Sequence, residues 1–246
     1  KEDYLRILRY LRFFVNYSKQ PHNSEIIRKI KINIEGVSNI SKERLLDELK
    51  KITKLNTLEK LTKDKISLNL ILTIFPELEN ISIFSKLSPL KKSLLKENDF
   101  ILLLSLMIIG KNDNTDYFLY KYNISKKDQK RIKNIDNFYK NKLQSKIFSE
   151  NNLNKIFYFD GNQAVIDILV FEIVKSKKLD NNLKKLIEVY KNKTIPKMPI
   201  SAEMIMKKFN MPEGKELGLK LKTIEKEWVE NNFKISNQKI DYIIKD

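Results

Sequence analysis

The chain has 246 residues, with 48 basic and 31 acidic side chains and a net charge of +17 at neutral pH. It has no cysteine and one histidine, which excludes disulfides, thiolate nucleophiles, zinc clusters and multi-histidine metal sites and favours a reducing compartment. The excess positive charge predicts a polyanionic partner, with nucleic acid as the first candidate. The abundance of lysine, asparagine and isoleucine, typical of AT-rich genomes, is an alternative explanation for part of that charge.

Helical periodicity runs through the sequence, which contains only five glycines and six prolines. This pattern predicts an all-α fold. The longest apolar run, Phe100 to Ile109, is too short to cross a bilayer and is expected to form a buried core helix that ends at Gly110.

The first helix is expected from Glu2 to about Tyr17. Asp3 and Arg6 are three residues apart, so on a helix they share one face. A carboxylate only accepts hydrogen bonds and a guanidinium only donates them. Cytosine and adenine both present an amine donor beside a ring-nitrogen acceptor, so an Asp/Arg pair could choose C and A over U and G. The alternative is a solvated, charged start of a helix.

Arginine is concentrated near the start of the chain. Five of the six arginines lie within the first 44 residues, which indicates planar, bidentate contacts in this region. Arg6, Arg9 and Arg12 form a stripe beside an apolar stripe of leucines. An ordinary amphipathic helix with a basic face gives the same pattern.

Two short helices are predicted next. A turn at residues 20–23, with His22 exposed at its end, leads to a helix from Ser24 to about Ile32. Residues 33–37 break that helix, and Ser41 is expected to cap the following one.

The middle of the sequence predicts further packed helices. Pro89 is expected to break the segment from residue 78 to 90. Ser125 with Asp128 forms a plausible cap for a helix reaching Leu143. This helix carries a basic cluster, which is either a solvated face or a surface that follows a phosphate backbone: Lys126, Lys127, Lys130, Arg131 and Lys133.

The last part begins with an extended connector over residues 193–199. Pro212 and Glu213 suit the first turn of a helix. Gly214 and Gly218 are four residues apart and are expected to permit close helix packing, with phosphate binding at the helix N-terminus as the alternative. A short helix is predicted over residues 236–245.

Several of these segments resemble class II tRNA nucleotidyltransferases, the family of CCA-adding enzymes and bacterial poly(A) polymerases. EDYLRILRYLRF resembles the nucleotide-selecting motif and neck helix of that family. The following segments are also similar, in the same order, to its neck, body and alphaproteobacterial-type tail: Ser41-x-Glu43-Arg44-x-x-x-Glu48, Tyr158-x-x-Gly161 with Asp167, Pro212-x-Gly214-x-x-x-Gly218 and Leu221-x-x-x-Glu225-x-x-Trp228. The family usually has glycine where this chain has Ala202.

The resemblance implies an elongated all-α arrangement of a neck (1–62), a helical body (63–195) and a helical tail (196–246). It implies nucleotide binding by Glu2, Asp3, Arg6 and Arg9. RNA contacts are expected at Arg12 and at four residues of the basic cluster, Lys126, Lys127, Lys130 and Arg131. The segment 41–48 is expected to hold the first helix in place, with Arg44 pairing to carboxylates.

The resemblance implies that the nucleotidyl-transfer chemistry is carried out by a catalytic head and not by these residues. The resemblance places the catalytic head upstream of Lys1, in cis or in trans, where it would bind Mg²⁺ and use CTP and ATP. No catalytic or metal-binding residue is therefore assigned here, and the chain alone is expected to be inactive. tRNA is the expected partner, without a membrane, in a cytoplasmic or organellar-matrix location. The alternatives are a poly(A) polymerase of the same family, a head-less RNA-binding subunit and a helical scaffold unrelated to RNA.

Overall fold

The computed structural model describes residues 4–96, 99–110, 112–141, 147–177 and 180–245. These residues form helices joined by turns, with no strand among them, which confirms the predicted all-α class. None of the described helices combines the length and the apolar character that a bilayer crossing needs. The chain divides into two compact units: Lys1–Lys140 with Val170–Asp180, and Asn141–Leu169 with Asn181–Asp246. The neck, body and tail boundaries stay a prediction.

The first unit is built from nine helices and two 3-10 segments within its described residues. They are α1 (Leu5–Tyr17), α2 (Ser24–Asn33), α3 (Lys42–Ile52), α4 (Leu55–Lys63), α5 (Lys65–Ile74), α6 (Pro89–Lys96), α7 (Phe100–Ile108), α8 (Asn114–Lys121) and α9 (Lys126–Lys140), with 3-10 helices at Ile34–Asn39 and Ile81–Lys86. The last residues of α10 (Glu150–Lys175) also belong to this unit.

Helix α7 forms the centre of the first unit, as its apolar sequence predicts. All residues from Ile101 to Ile109 are buried. The side chain of Asp99 caps its N-terminus by accepting the N–H groups of Ile101 and Leu102. Since the helix is apolar on all faces, it can only be stable when other elements surround it.

Some boundaries differ from the prediction. Pro89 begins α6 instead of breaking a helix, because proline fits the first helical position, where its missing N–H has no intrahelical partner. Ser41 caps α3, and Ser125 and Asp128 meet at the start of α9, as predicted. Leu143, the predicted end of α9, lies outside the described residues.

The second unit contains the start of α10, followed by α11 (Asn181–Asn192), α12 (Ala202–Phe209), α13 (Lys215–Glu230) and α14 (Asn237–Lys245). Helix α10 is interrupted at Gly161, whose φ of 82° favours glycine. The connector over residues 193–199 is non-helical, as predicted. Pro212 and Glu213 precede α13 instead of lying in its first turn, because the helix begins after an extended residue, Gly214.

The core of the tail helices is aliphatic. Ser201 caps α12 by accepting the N–H of Met204, so Ala202 stands at the first helical position, where alanine is well suited. A single buried cluster joins α12, α13 and α14: Ile205, Leu217, Ile224, Ile240, Ile243 and Ile244.

Candidate nucleotide- and RNA-binding surface

Helix α1 separates a buried leucine face from a basic face. The leucines of the predicted apolar stripe are buried, whereas Arg6 and Arg9 are exposed. Arg6 borders a cleft of about 210 Å³ that is also lined by residues of α2. Glu2 and Asp3 lie outside the described residues, so the Asp3–Arg6 pair stays a prediction.

The residue before α1 rests on a glycine. A Cβ atom added to Gly36 would lie 2.3 Å from Cε1 of the Tyr4 ring. Any side chain at this position would therefore displace the ring. Tyr4 lies inside the predicted EDYLRILRYLRF motif, so this close approach ties the first described residue of that motif to Gly36.

A single buried carboxylate anchors the arginine stripe. The Glu48 side chain, on α3, is 2% exposed; its Oε1 lies 3.7 Å from Nε of Arg9 and 2.8 Å from Nζ of Lys51. Its Oε2 lies 3.2 Å from Nε of Arg12. Glu48 Oε2 and Arg12 Nε make no hydrogen bond of good geometry, so their contact is a Coulombic ion pair.

The position of Glu48 explains the role predicted for its segment. A buried charge is costly unless groups of opposite charge stay close to it. Glu48 therefore fixes the basic face of α1 against α3, as expected of residues 41–48. Arg44 is exposed, and its predicted pairing with carboxylates stays a prediction.

The side chain of His22 is buried, so the prediction of an exposed histidine is wrong. It is 2% exposed and stacks on Phe14, with ring centroids 3.5 Å apart and planes inclined by 15°. Nδ1 lies 2.8 Å from the hydroxyl of Tyr10, and Nε2 lies 3.2 Å from both Asp64 Oδ1 and Ser67 Oγ. The turn before α2 thus connects α1 to the first turn of α5. The signal in the sequence was the pair Tyr10 and Phe14, which project together from α1 towards this turn.

Asp64 holds this cluster together as both a helix cap and a hydrogen-bond partner of His22. Its Oδ1 accepts the N–H of Ser67 at 2.7 Å. Burial acts to raise the pKa of Asp64, but this hydrogen bond and the neighbouring His22 outweigh burial and keep the pKa below its ordinary value. Burial, and then the Asp64 charge, raises the pKa of Tyr10.

The basic cluster of α9 contains exposed lysines and an arginine that forms an ion pair within the first unit. Lys126, Lys127 and Lys130 occupy exposed positions. Arg131 instead pairs with Asp99, the residue that caps α7. The structure therefore gives Arg131 a clear part in packing α9 on α7, and RNA contact by the cluster stays a prediction.

The second unit brings the body and tail motifs into one aromatic cluster. The Tyr158 hydroxyl donates to Glu225 Oε1 at 2.6 Å, and the Trp228 ring meets Tyr158 edge-on, with centroids 5.5 Å apart. Phe233 packs on Trp228 at 5.0 Å and has a φ of 63°, which is rare for a bulky residue. Burial, together with the hydrogen bond to Glu225, raises the pKa of Tyr158 to about 12, so the hydroxyl remains a donor at neutral pH. These motif residues pack the second unit.

Among the described residues, no element packs closely against Gly214 or Gly218. The prediction that this pair permits close helix packing is therefore wrong. A Cβ atom added at either position meets nothing within 4 Å. No neighbouring element among the described residues requires glycine here. The close approach expected from the spacing is thus not the reason for these residues.

Comparison with known proteins gives two matches over the full chain. The chain is 27% identical over 262 aligned positions to the mitochondrial CCA tRNA nucleotidyltransferase 1 of Mus musculus and 28% identical over 261 positions to that of Homo sapiens. Both alignments cover 100% of this chain and 56% of the relative. The chain resembles CCA tRNA nucleotidyltransferases along its whole length. The family resemblance predicted from the motifs is confirmed, and the chain spans about half the length of these two relatives.

A shorter match supports the same CCA-adding resemblance. The Danio rerio protein of the same name is 46% identical over 54 residues, or 21% of this chain and 12% of the relative. No protein-family model matches the chain.

The CCA-adding resemblance implies Mg²⁺, a cation that is held by oxygen ligands. In the part of the chain that the structure describes, no three His, Asp or Glu side chains gather closely enough to hold a metal ion. No metal-dependent step is therefore assigned to these residues.

Proposed function

We propose that this chain is the nucleotide-selecting and tRNA-binding part of a CCA-adding tRNA nucleotidyltransferase. In this proposal it acts with a catalytic head that precedes Lys1 and carries the Mg²⁺, CTP and ATP chemistry. The observation that carries the proposal is the anchoring of the α1 arginine stripe by Glu48, directly after the Glu2-Asp3-x-x-Arg6 motif. A base-recognition motif needs such a rigid support, because its contacts must be held in place before the nucleotide binds.

The proposed base choice follows from hydrogen-bond chemistry. Asp3 accepts a hydrogen bond from the exocyclic amine of C or A, and Arg6 donates to the adjacent ring nitrogen. Glu2 orients this pair. Uracil and guanine place a carbonyl oxygen opposite the Asp3 carboxylate, which leaves two acceptors facing each other without a proton. Leaving buried polar groups unpaired is the effective way to reject a wrong base.

The proposed tRNA contacts are sequence-independent. The net charge of +17 attracts the phosphate backbone, and the exposed lysines of α9 are the candidate contacts. A-form helices hide their base edges in a deep major groove, so a protein recognises the tRNA stem mainly by shape and phosphate position. Binding of the 246-residue chain to tRNA should therefore weaken steeply with added salt.

The experiment that tests base choice uses the head-containing protein with a tRNA that lacks its last three nucleotides. Asp3→Ala and Arg6→Ala should lower the preference for CTP and ATP over UTP and GTP by at least about tenfold, with tRNA affinity unchanged. Arg28→Ala, at an exposed position on α2, is the matched control and should keep the preference. Equal loss of tRNA binding in the Asp3 and Arg6 variants would refute base recognition.

A second arm tests the division of labour. The 246-residue chain alone, given Mg²⁺, CTP, ATP and the same tRNA, should add no nucleotide. Incorporation by this chain alone would contradict the placement of the chemistry in a separate head.

A further inference from the structure

Helix α1 carries two exposed aromatic side chains that its packing does not use. Phe13 is 52% exposed and Tyr17 is 76% exposed, and they lie one helical turn apart on the same face. Their ring centroids are 6.0 Å apart, with planes inclined by 30°. We call this pair the aromatic strip.

The aromatic strip is separate from the core. The apolar residues that fix α1 in the first unit lie on another face of the helix and are buried. The guanidinium carbon of Arg12 lies over the Phe13 ring, 4.6 Å from its centroid, which keeps a cation beside the strip. Large rings displayed in pairs are costly to leave in water, so the strip indicates a binding surface.

A basic cleft reaches α1 at Asn16, which lies between Phe13 and Tyr17 in the sequence. It has a volume of about 640 Å³, and its polar lining includes Asn16, Lys54, Lys92 and Lys96. Asn16, which precedes Tyr17, is fixed by its side chain: Nδ2 donates to the carbonyl oxygen of Arg12 at 2.8 Å and Oδ1 accepts from Thr57 at 2.9 Å. This residue therefore connects the aromatic strip to what we call the lysine cleft.

The charge of the lysine cleft selects an anion. Its lining contains one acidic residue, Glu59, which is paired with Lys92 at 2.8 Å. Lys54 and Lys96 are exposed, so their ammonium groups are accessible to a ligand. A surface that combines exposed aromatic rings with lysines matches single-stranded nucleic acid, in which the bases stack on rings while cations follow the phosphates.

We infer that the aromatic strip and the lysine cleft bind an unpaired RNA end. Phe13 and Tyr17 stack on successive bases, and Lys54 and Lys96 contact the adjacent phosphates. Bases inside a duplex are already stacked and paired, so only an unpaired segment can use the rings. This inference rests on the proposed function, in which the unpaired segment is the 3′ end of the tRNA. It adds a base-stacking site to a helix on which Arg12 was the expected RNA contact.

The test uses the 246-residue chain and two fluorescent RNA hairpins, one with an unpaired 3′ end and one blunt. The wild-type chain should bind the hairpin with the unpaired end more tightly. Phe13→Leu with Tyr17→Leu keeps apolar, helix-compatible side chains and should weaken that binding by about tenfold per ring, with blunt-hairpin affinity unchanged. Tyr120→Leu, at an 88% exposed position on α8, is the matched control and should change neither affinity. Lys54→Gln with Lys96→Gln should reduce the salt dependence of binding.

A second readout reports stacking itself. A fluorescent adenine analogue in the unpaired end should be quenched by the wild-type chain and not by the Phe13/Tyr17 variant, with circular dichroism confirming that the variant is folded. The inference would be overturned if the wild-type chain bound both hairpins tightly and the ring substitutions changed neither RNA affinity nor quenching. That result would assign the strip to a protein partner and leave the proposed function standing. Failure of the wild-type chain to bind either hairpin would overturn the proposed function and this inference together.

Discussion

Glu48→Gln tests whether one buried carboxylate holds the basic face of α1. Glutamine keeps the size of the side chain and removes the charge that faces Arg9, Arg12 and Lys51. Breaking a fully buried ion pair costs about 3–5 kcal/mol. Here the cost is smaller, because the Arg9, Arg12 and Lys51 side chains are 46%, 24% and 53% exposed and can regain water.

We therefore expect Glu48→Gln to lower the free energy of unfolding by about 2 kcal/mol. For a unit of this size that corresponds to a fall in Tm of about 4–8 °C. The assay is thermal and urea unfolding followed by circular dichroism at low and moderate salt. A partly buried pair is screened little, so the deficit should persist when salt is added.

The matched control is Asp47→Asn, the preceding residue on the same helix, whose side chain is exposed. It should change stability by less than about 0.5 kcal/mol. A double-mutant cycle with Arg12→Gln should show coupling of about 1 kcal/mol. If Glu48→Gln behaved like the control, or if the Arg12 and Glu48 changes were additive, the ion pair would not be what holds α1.

Three further predictions concern other parts of the chain. Asp64→Asn keeps a capping side chain but loses the charge. Since the pKa of Asp64 is lowered in the folded state, its ionised form stabilises the fold at pH values above the ordinary aspartate pKa of about 3.9. The Tm difference from wild type should therefore be full at neutral pH and vanish as the pH falls through that lowered pKa; a pH-independent difference would contradict the role of the charge. Gly218→Ala should raise stability by about 0.5–1 kcal/mol in urea unfolding, because the position is helical and open; a loss of stability would restore the close-packing interpretation. Tyr158→Phe should lower stability by about 1 kcal/mol through the lost hydrogen bond to Glu225, whereas Tyr120→Phe, at an exposed position, should have no effect in the same melts.

The sequence predicted those helices whose signals are local. Asn23, Ser41 and Asp99 each cap a helix through a short side chain next to its first turn, and the apolar run of α7 indicates its burial. The helices α4, α6, α8, α11 and α12 were not predicted from local signals. In α8, three polar residues precede a run of four aromatic or apolar residues that cover all faces of the helix, so its burial depends on the neighbouring elements.

The errors concern contacts between residues distant in the sequence. His22 looked exposed because it lies in a polar turn, yet residues 42 and 45 positions away supply its partners. The spacing of Gly214 and Gly218 is compatible with close packing, but no sequence pattern states whether another helix is present. The Arg9 and Arg12 stripe was visible in the sequence, whereas the single carboxylate that both share required the fold.

The measurement that tests the central claim most directly is the sequence of the 3′ ends made by the full-length, head-containing protein. A tRNA lacking its last three nucleotides is incubated with CTP, ATP and Mg²⁺, and the new ends are read. Ends that stop at CCA are the predicted result, with Arg6→Ala giving misincorporated bases and Arg28→Ala giving correct ends. Long A tails would instead place the protein with the poly(A) polymerases, and bound but unextended tRNA would contradict the claim that this chain selects nucleotides.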